Sequence, residues 1–354
     1  MGTTTTGSMP LDGGTDTVSR AVAGTMFPPA SALTEVGATD VLRADGRPVG
    51  ELRERLYRVS NAANALHVIG AWVQSVGVIA LARWWGNPVG WVLAFVMCSR
   101  AMVRFAILMH EAAHRLLFTN RRINDFVGRW LVSYPVFTPV DVYRRSHMAH
   151  HREEFGPREP DIAFYRGYPI GGQSWWRKMR RDAFGVSGWK NLKALLVAFK
   201  SRTARPVVAR IYAVQIVMFA LLWAVGGHWW IWPVFWLAPW MTVWRVLNRL
   251  RAIAEHGGLA ASPDRRVTTH HVRQSALAQF ALVPFNTGYH LAHHVDIGVP
   301  FAKLPQFQRE LERSGYIRPE LEWPSYRALW RHARTGTNAE TATAQGQAGA
   351  PSAS

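Results

Sequence analysis

The sequence predicts an all-α, multi-pass membrane protein: four transmembrane helices in two hairpins, with a cytoplasmic helical cap rich in histidine. Three observations carry this. The apolar residues fall in four blocks, His67–Ala82, Pro88–His110, Val207–Val225 and Trp229–Leu247, and each successive pair is joined by a short turn; about 20 apolar residues are needed to cross a bilayer core. The composition suits lipid, with 17 Trp and 12% aromatic residues against 18% charge. Residues 110–206, between the pairs, hold 18 Lys and Arg against 8 Asp and Glu, whereas the turn Gly226-Gly227-His228 holds no Lys or Arg. By the bias of positive residues toward the inside, the middle segment and both termini are predicted cytoplasmic and the two turns external.

In chain order, residues 1–48 are rich in Thr, Gly, Pro, Ala and Ser and lack an apolar run of signal-peptide length, so a disordered tail is expected. The membrane domain is placed at 49–333 and a second disordered tail at 334–354. Gly50–Ser60 suits a short charged helix on the membrane surface, with Leu52, Leu56 and Val59 on one side. Trp84-Trp85-Gly86-Asn87 gives the first turn, with interfacial tryptophans. The second block carries Arg100 and Arg104 one helical turn apart. An Arg at the bilayer centre costs about 2.5–3.5 kcal/mol on insertion scales, so both must snorkel, face protein or lie beyond a short span. That span is expected to continue as helix to about Phe118, and the fourth to Glu255-His256, where Gly257-Gly258 is a helix stop. Phe126–Val140 and Ser275–Phe285 are too short or too broken by Pro to span and are expected to hug the interface or cap the core.

The net charge of +18 would allow nucleic-acid binding, but the basic residues flank apolar blocks instead of forming a stripe or recognition motif. Contacts with lipid headgroups account for them, and no nucleic-acid partner is expected. The single cysteine, Cys98, lies in an apolar block and excludes a disulfide framework, a Cys-ligated zinc and an in-chain iron–sulfur cluster.

The chemistry lies in the histidines. His147-Met-Ala-His150-His151 places three imidazoles on one face if helical, since residues three and four apart are neighbours. His290-Leu-Ala-His293-His294 repeats the spacing, and His110-Glu111-Ala-Ala-His114 places two more one turn apart. His256, at the projected end of the fourth span, makes a ninth. Imidazoles at this density suit a dry core poorly, because each ring needs a polar partner. One zinc takes about four ligands and does not use this set. Two metals with four or five ligands each do, and nitrogen ligands leave zinc, copper, iron and nickel open.

These three motifs, in this order around two pairs of spans and with the third extended as Asn286-Thr-Gly-Tyr-His290, resemble the histidine boxes of the membrane fatty acid desaturase and hydroxylase superfamily. The resemblance covers roughly residues 60–330. It implies a non-haem di-iron centre, O2 as co-substrate, and a lipid or fatty acyl substrate entering from the membrane. By it the ligands are His110, His114, His147, His150, His151, His290, His293 and His294, with His256 as the extra histidine after the last span; Asn286 and Glu111 are assigned outer positions around the metals. The implied reaction is acyl-lipid desaturation. Ala252 stands where acyl-CoA relatives carry Asn, and the first box has three intervening residues where they usually have four, so a CoA thioester is not the expected substrate form. With no second cysteine, nucleotide-binding loop or haem signature, electrons must come from an external donor, such as a ferredoxin or a cytochrome b5-type carrier, docking on the basic face.

A hydroxylase or carotenoid ketolase would share the boxes. His110-Glu111-Ala-Ala-His114 also matches a zinc-protease motif with Glu111 as base, which leaves six box histidines without a task. A metal transporter would need more polar groups inside the spans than Arg100 and Arg104.

Overall fold

The computed structural model describes residues 26–336. The expected tails at 1–25 and 337–354 lie outside the described residues. The part of the N-terminal tail that is described, 26–48, is packed: Met26 and Leu42 are buried, Leu42 pairs with Pro48 in an antiparallel bridge, and Met26 lies against Gly258.

A surface helix α1 (Gly50–Leu56) leads into α2 (Asn61–Trp85), which Ser60 caps by accepting from the Ala63 N–H. Gly86, with φ 65°, ends α2 in the left-handed region. Asn87 caps α3 (Pro88–Ala113) and Pro88 takes the first helical turn, where its missing N–H costs nothing. α2 leaves Leu66, Ile69 and Val73 exposed, as a lipid-facing helix does, whereas α3 is buried on nearly every side from Ala101 onward and forms the centre of the fold. α3 stops at Ala113, short of the expected Phe118, and Arg115 turns the chain with φ 62°.

Arg100 and Arg104 face protein. Arg104 donates to the Gly70 carbonyl at 2.7 Å and to Gln74 Oε1 at 2.8 Å, while Arg100 donates to the Phe280 carbonyl at 2.7 Å and to Gln74. Both guanidiniums therefore bind α2 to α3, and Arg100 also ties the 276–281 helix to it.

Residues 126–140 pack against other helices near the middle of α2 and of α7 (Arg205–Gly226). Trp72 Nε1 donates to the Leu131 carbonyl at 2.9 Å, Gln215 donates to the Tyr134 and Pro135 carbonyls, and Trp236 Nε1 reaches Pro135 O at 2.7 Å. The helix widens over Gly128–Ser133 and tightens over Tyr134–Val136, and these three side chains satisfy carbonyls of those irregular turns.

After this segment come α4 (Val140–Arg152), α5 (Gly172–Ala183) and α6 (Val186–Ala198). α5 and α6 expose Trp176, Phe184, Trp189, Leu196 and Val197 beside Arg177, Arg181, Lys190 and Lys193, the mixture that headgroup depth favours. α7 follows, and Arg83 of α2 donates to the Ala224 and Val225 carbonyls at its end, so the two turns lie side by side.

The return from α7 is not one continuous helix over Trp229–Leu247. Pro233 and Pro239 each remove a helical N–H. The chain widens over Pro233–Leu237, makes one turn at Ala238–Met241, and breaks at Thr242 (φ −117°, ψ −84°) before α8 (Val243–His256). Three helical stretches among the described residues are long and apolar enough to cross a membrane: Gly50–Trp85, Pro88–Ala113 and Arg205–Gly226. The remaining chain carries α9 (His290–Val295), α10 (Leu304–Arg313) and α11 (Tyr326–Ala333), with one short parallel pair, His271–Val272 against Glu322–Trp323.

Candidate metal centre

Four helices bring their histidines to one place. α3 supplies His110 and, just past its end, His114. α4 presents His147, His150 and His151, α8 ends on His256, and α9 presents His290, His293 and His294. The end of α3 is held by Arg144 of α4, which donates to the Ala112 and Ala113 carbonyls at 2.9 Å each and pairs with Asp125 at 2.6 Å. That contact fixes the first two boxes against each other.

The nine imidazoles divide into two sets. His110, His114, His147, His151 and His293 place ligand nitrogens within 4.8 Å of one another. His150, His256 and His294 do the same, and His290 joins them, with Nε2 at 3.2 Å from His256 Nε2 and 3.0 Å from His294 Nε2. Adjacent residues on a helix point about 100° apart. The pairs His150-His151 and His293-His294 therefore send one ring to each set, which is what a doubled histidine is for.

The spacing suits metal ions. Nitrogens about 2.0–2.1 Å from a shared cation stand roughly 2.9–3.4 Å from their neighbours in octahedral or tetrahedral arrangements. The observed Nε2 pairs are 2.9 Å (His147, His114), 3.0 Å (His151, His147) and 3.1 Å (His293, His151). Burial holds His147, His151, His256, His290, His293 and His294 well below the ordinary histidine pKa, with repulsion from neighbouring histidines adding to it in each. The same burial pushes His114 down to about 3. These rings are neutral at pH 7, with lone pairs free to bind a cation.

Outer partners fix several tautomers. His256 Nδ1 donates to the Thr268 carbonyl at 2.8 Å, His150 Nδ1 to Glu159 at 2.9 Å and His294 Nδ1 to Glu154, while His290 Nδ1 lies 3.6 Å from Glu255. Each of these bonds leaves Nε2 to the cluster. In the five-membered set His110 Nδ1 and His151 Nδ1 are buried without a hydrogen-bond partner among the described residues. His150 departs from the others: burial lowers its pKa, but the hydrogen bond and charge of Glu159 outweigh burial and the net shift is upward, while Glu159 is held down by the same pairing.

Sequence reasoning missed Glu154, Glu159 and Glu255. The visible signal was acidic residues clustered directly after the second box, in Arg152-Glu-Glu-Phe-Gly-Pro-Arg-Glu159, within an otherwise basic segment. The two outer positions assigned from sequence behave differently. Glu111 is buried and accepts from the Phe301 N–H at 3.1 Å instead of from a histidine. Asn286 serves the turn before α9, with φ 64° and its carbonyl accepting from the Tyr289 N–H. His270 and His271 stand outside both sets: His270 Nε2 donates to the Gly257 carbonyl, while its Nδ1 accepts from Trp323.

A cavity of about 240 Å³ opens beside the sets. His110, His147, His150, His256, His290 and His293 form one end, and Ala106, Ile107, Thr138, Trp244 and Arg245 belong to the end that α3 and α8 carry back toward the membrane-spanning segments.

Comparison with known proteins agrees with this arrangement. The chain is 26% identical over 266 residues to a dihydrorhizobitoxine desaturase of Bradyrhizobium elkanii, covering 68% of this chain and 72% of the relative. It is 23% identical over 272 residues to an sn-1 oleoyl-lipid 12-desaturase of Arthrospira platensis, covering 69% and 74%. It is 27% identical over 249 residues to a beta-carotene ketolase of Paracoccus sp., covering 68% and 85%. The family model for fatty acid desaturases matches residues 82–330, and with both the boxes and their convergence in view, the chain belongs to the fatty acid desaturase family.

Proposed function

We propose that the protein is an O2-dependent di-iron oxidoreductase that desaturates the acyl chain of a membrane lipid or fatty acid, with electrons from an external carrier. The observation that carries the reading is the division of nine imidazoles, seven of them buried and two half-buried, into sets of five and four. A zinc hydrolase uses three ligands and a water, and has no use for a cluster in which His110 and His114 meet three further imidazoles.

His110, His114, His147, His151 and His293 would hold one iron, and His150, His256, His290 and His294 the other. When bound, the pair supplies the oxidation of unactivated C–H bonds by O2. The reaction balances as –CH2–CH2– plus O2, two electrons and two protons giving –CH=CH– and two waters: two hydrogens leave the chain and the donor supplies the other electron pair. The protein's own groups orient and enclose. Glu154, Glu159 and the Thr268 carbonyl hold ring orientations, and Ile107, Phe164 and Trp244 line the cavity and keep water from the reacting carbons. A hydroxylase or ketolase would use the same centre and insert oxygen instead.

The distribution of basic residues supports a cytoplasmic placement for the histidine-bearing end and both termini. Exposed Arg145, Arg152 and Arg158 near the second box give that end a positive rim suited to an acidic ferredoxin or a cytochrome b5-type donor.

The test is expression in a host of known lipid profile followed by mass spectrometry. A product lighter by two hydrogens, absent from the His150→Ala variant, is expected. A product heavier by one oxygen reassigns the reaction to hydroxylation, one that gains an oxygen and loses two hydrogens reassigns it to ketolation, and a product surviving in His150→Ala overturns the ligand assignment.

A further inference from the structure

Arg245 is a cation with no anion in contact. It lies half-buried on α8 and lines the cavity, no ion pair or side-chain hydrogen bond of Arg245 is found among the described residues, its Nε is buried without a partner, and the charge of Asp182 acts on it only from beyond ion-pair distance. The Trp240 ring lies 4.0 Å from its guanidinium carbon, which covers a face and leaves the edge donors unused. The other arginines along α8 have acidic partners: Arg249 is bound by Asp182, and Arg251 Nε, although it makes no hydrogen bond among the described residues, stands 3.1 Å from Glu255 as an ion pair. Asp182 is thereby engaged and accepts from Ser187 as well. A guanidinium stays charged, and leaving one in a desolvated pocket without a counter-ion is costly. Asn248, one turn further along α8, faces the same cavity and adds a neutral polar group.

Position turns this into a statement about substrate. Arg245 and His256 are eleven residues apart on one helix, roughly 16 Å along its axis. An anionic group at Arg245 would lie at the end of the cavity away from the imidazoles, with hydrocarbon filling the space between. We propose that Arg245 receives the anionic end of the substrate, a carboxylate or a phosphate, and so sets which chains enter and how far they reach toward the histidines. The inference rests on the cavity being the substrate chamber beside the metal centre. It excludes a neutral terpenoid as preferred substrate, and a compact one in which the anionic group adjoins the reacting carbons.

The experiment measures binding to the iron-loaded full-length protein in nanodiscs. Two matched probe pairs are used: octadecanoic acid with its methyl ester, and a phosphatidylglycerol with the diacylglycerol of the same chains. Wild type is expected to bind at least one anionic member about 10- to 100-fold tighter than its neutral partner, the discrimination that a hydrogen-bonded charge supplies. Arg245→Gln should abolish that difference with iron content and melting temperature unchanged, and Arg245→Lys should restore part of it. A preference within the acid pair alone assigns the carboxylate, and one within the lipid pair alone assigns the phosphate. Equal binding within both pairs, or a preference that survives in Arg245→Gln, overturns the proposal. Iron content and product formation are scored separately, so failure of the desaturase reading is distinguishable from failure at Arg245.

Discussion

Replacing Glu159 with Gln tests whether the carboxylates around the four-membered set work on a metal or merely fill space. Glu159 is buried, its Oε2 bonds to His150 Nδ1 at 2.9 Å, and its Oε1 accepts from the Asp161 N–H at 2.9 Å. Gln keeps the volume and one acceptor, so the substitution removes the charge and leaves either the imidazole or the Asp161 amide poorly served. Outer carboxylates that orient a ligating histidine are worth about 10- to 100-fold in metal affinity, which is about 1.4–2.7 kcal/mol. The five-membered set contains neither His150 nor its partner. Iron content measured across a chelator titration should therefore show a range in which wild type keeps two irons and Glu159→Gln keeps one. Simultaneous loss of both irons, or a titration identical to wild type, would refute the assignment of His150 to a set separate from that of His151.

Other predictions follow from particular contacts. Gln215→Leu, in the middle of α7, should lower stability by about 0.5–1.5 kcal/mol, the worth of an ordinary hydrogen bond, because the Tyr134 carbonyl keeps the Phe137 N–H and the Pro135 carbonyl keeps Trp236; thermal unfolding in detergent reads this. Arg144→Lys should loosen the end of α3, since a lysine cannot serve two carbonyls and Asp125 with one planar fork, and should lower iron content and activity together. The Asp125 carboxyl is partly desolvated, which alone would raise its pKa, but Arg144 prevails and holds it below the ordinary value. Its contribution to stability is thus present above the unfolded-state pKa and lost as pH falls through the depressed folded value. Acid unfolding of Arg144→Gln should begin closer to neutral pH than that of wild type.

Much of this was legible from sequence because it was local. The i, i+3, i+4 spacing of the boxes needs only a helix to align the rings, and the predicted ends of the second and fourth spans put His110 and His256 at the same end of the fold. The helix stop at Gly257-Gly258 was placed correctly for the same reason. What was missed depends on contacts across the chain. Hydropathy averaged over Trp229–Leu247 hides what Pro233, Pro239 and Thr242 do to one backbone. Phe126–Val140 reads as too short or too broken by Pro to span, and the side chains that satisfy its carbonyls, Trp72, Gln215 and Trp236, come from three other segments that no local pattern connects to it. The role of Arg100 and Arg104 turned on carbonyls at Gly70 and Phe280, distant in sequence. Glu154 and Glu159 could be seen in the sequence, but their partners His294 and His150 could not be assigned without the fold.

The most direct measurement is anomalous scattering at the iron edge from crystals of the iron-loaded protein. The account predicts two peaks, one ringed by His110, His114, His147, His151 and His293 and the other by His150, His256, His290 and His294. A single peak, or a second one outside these rings, would contradict it.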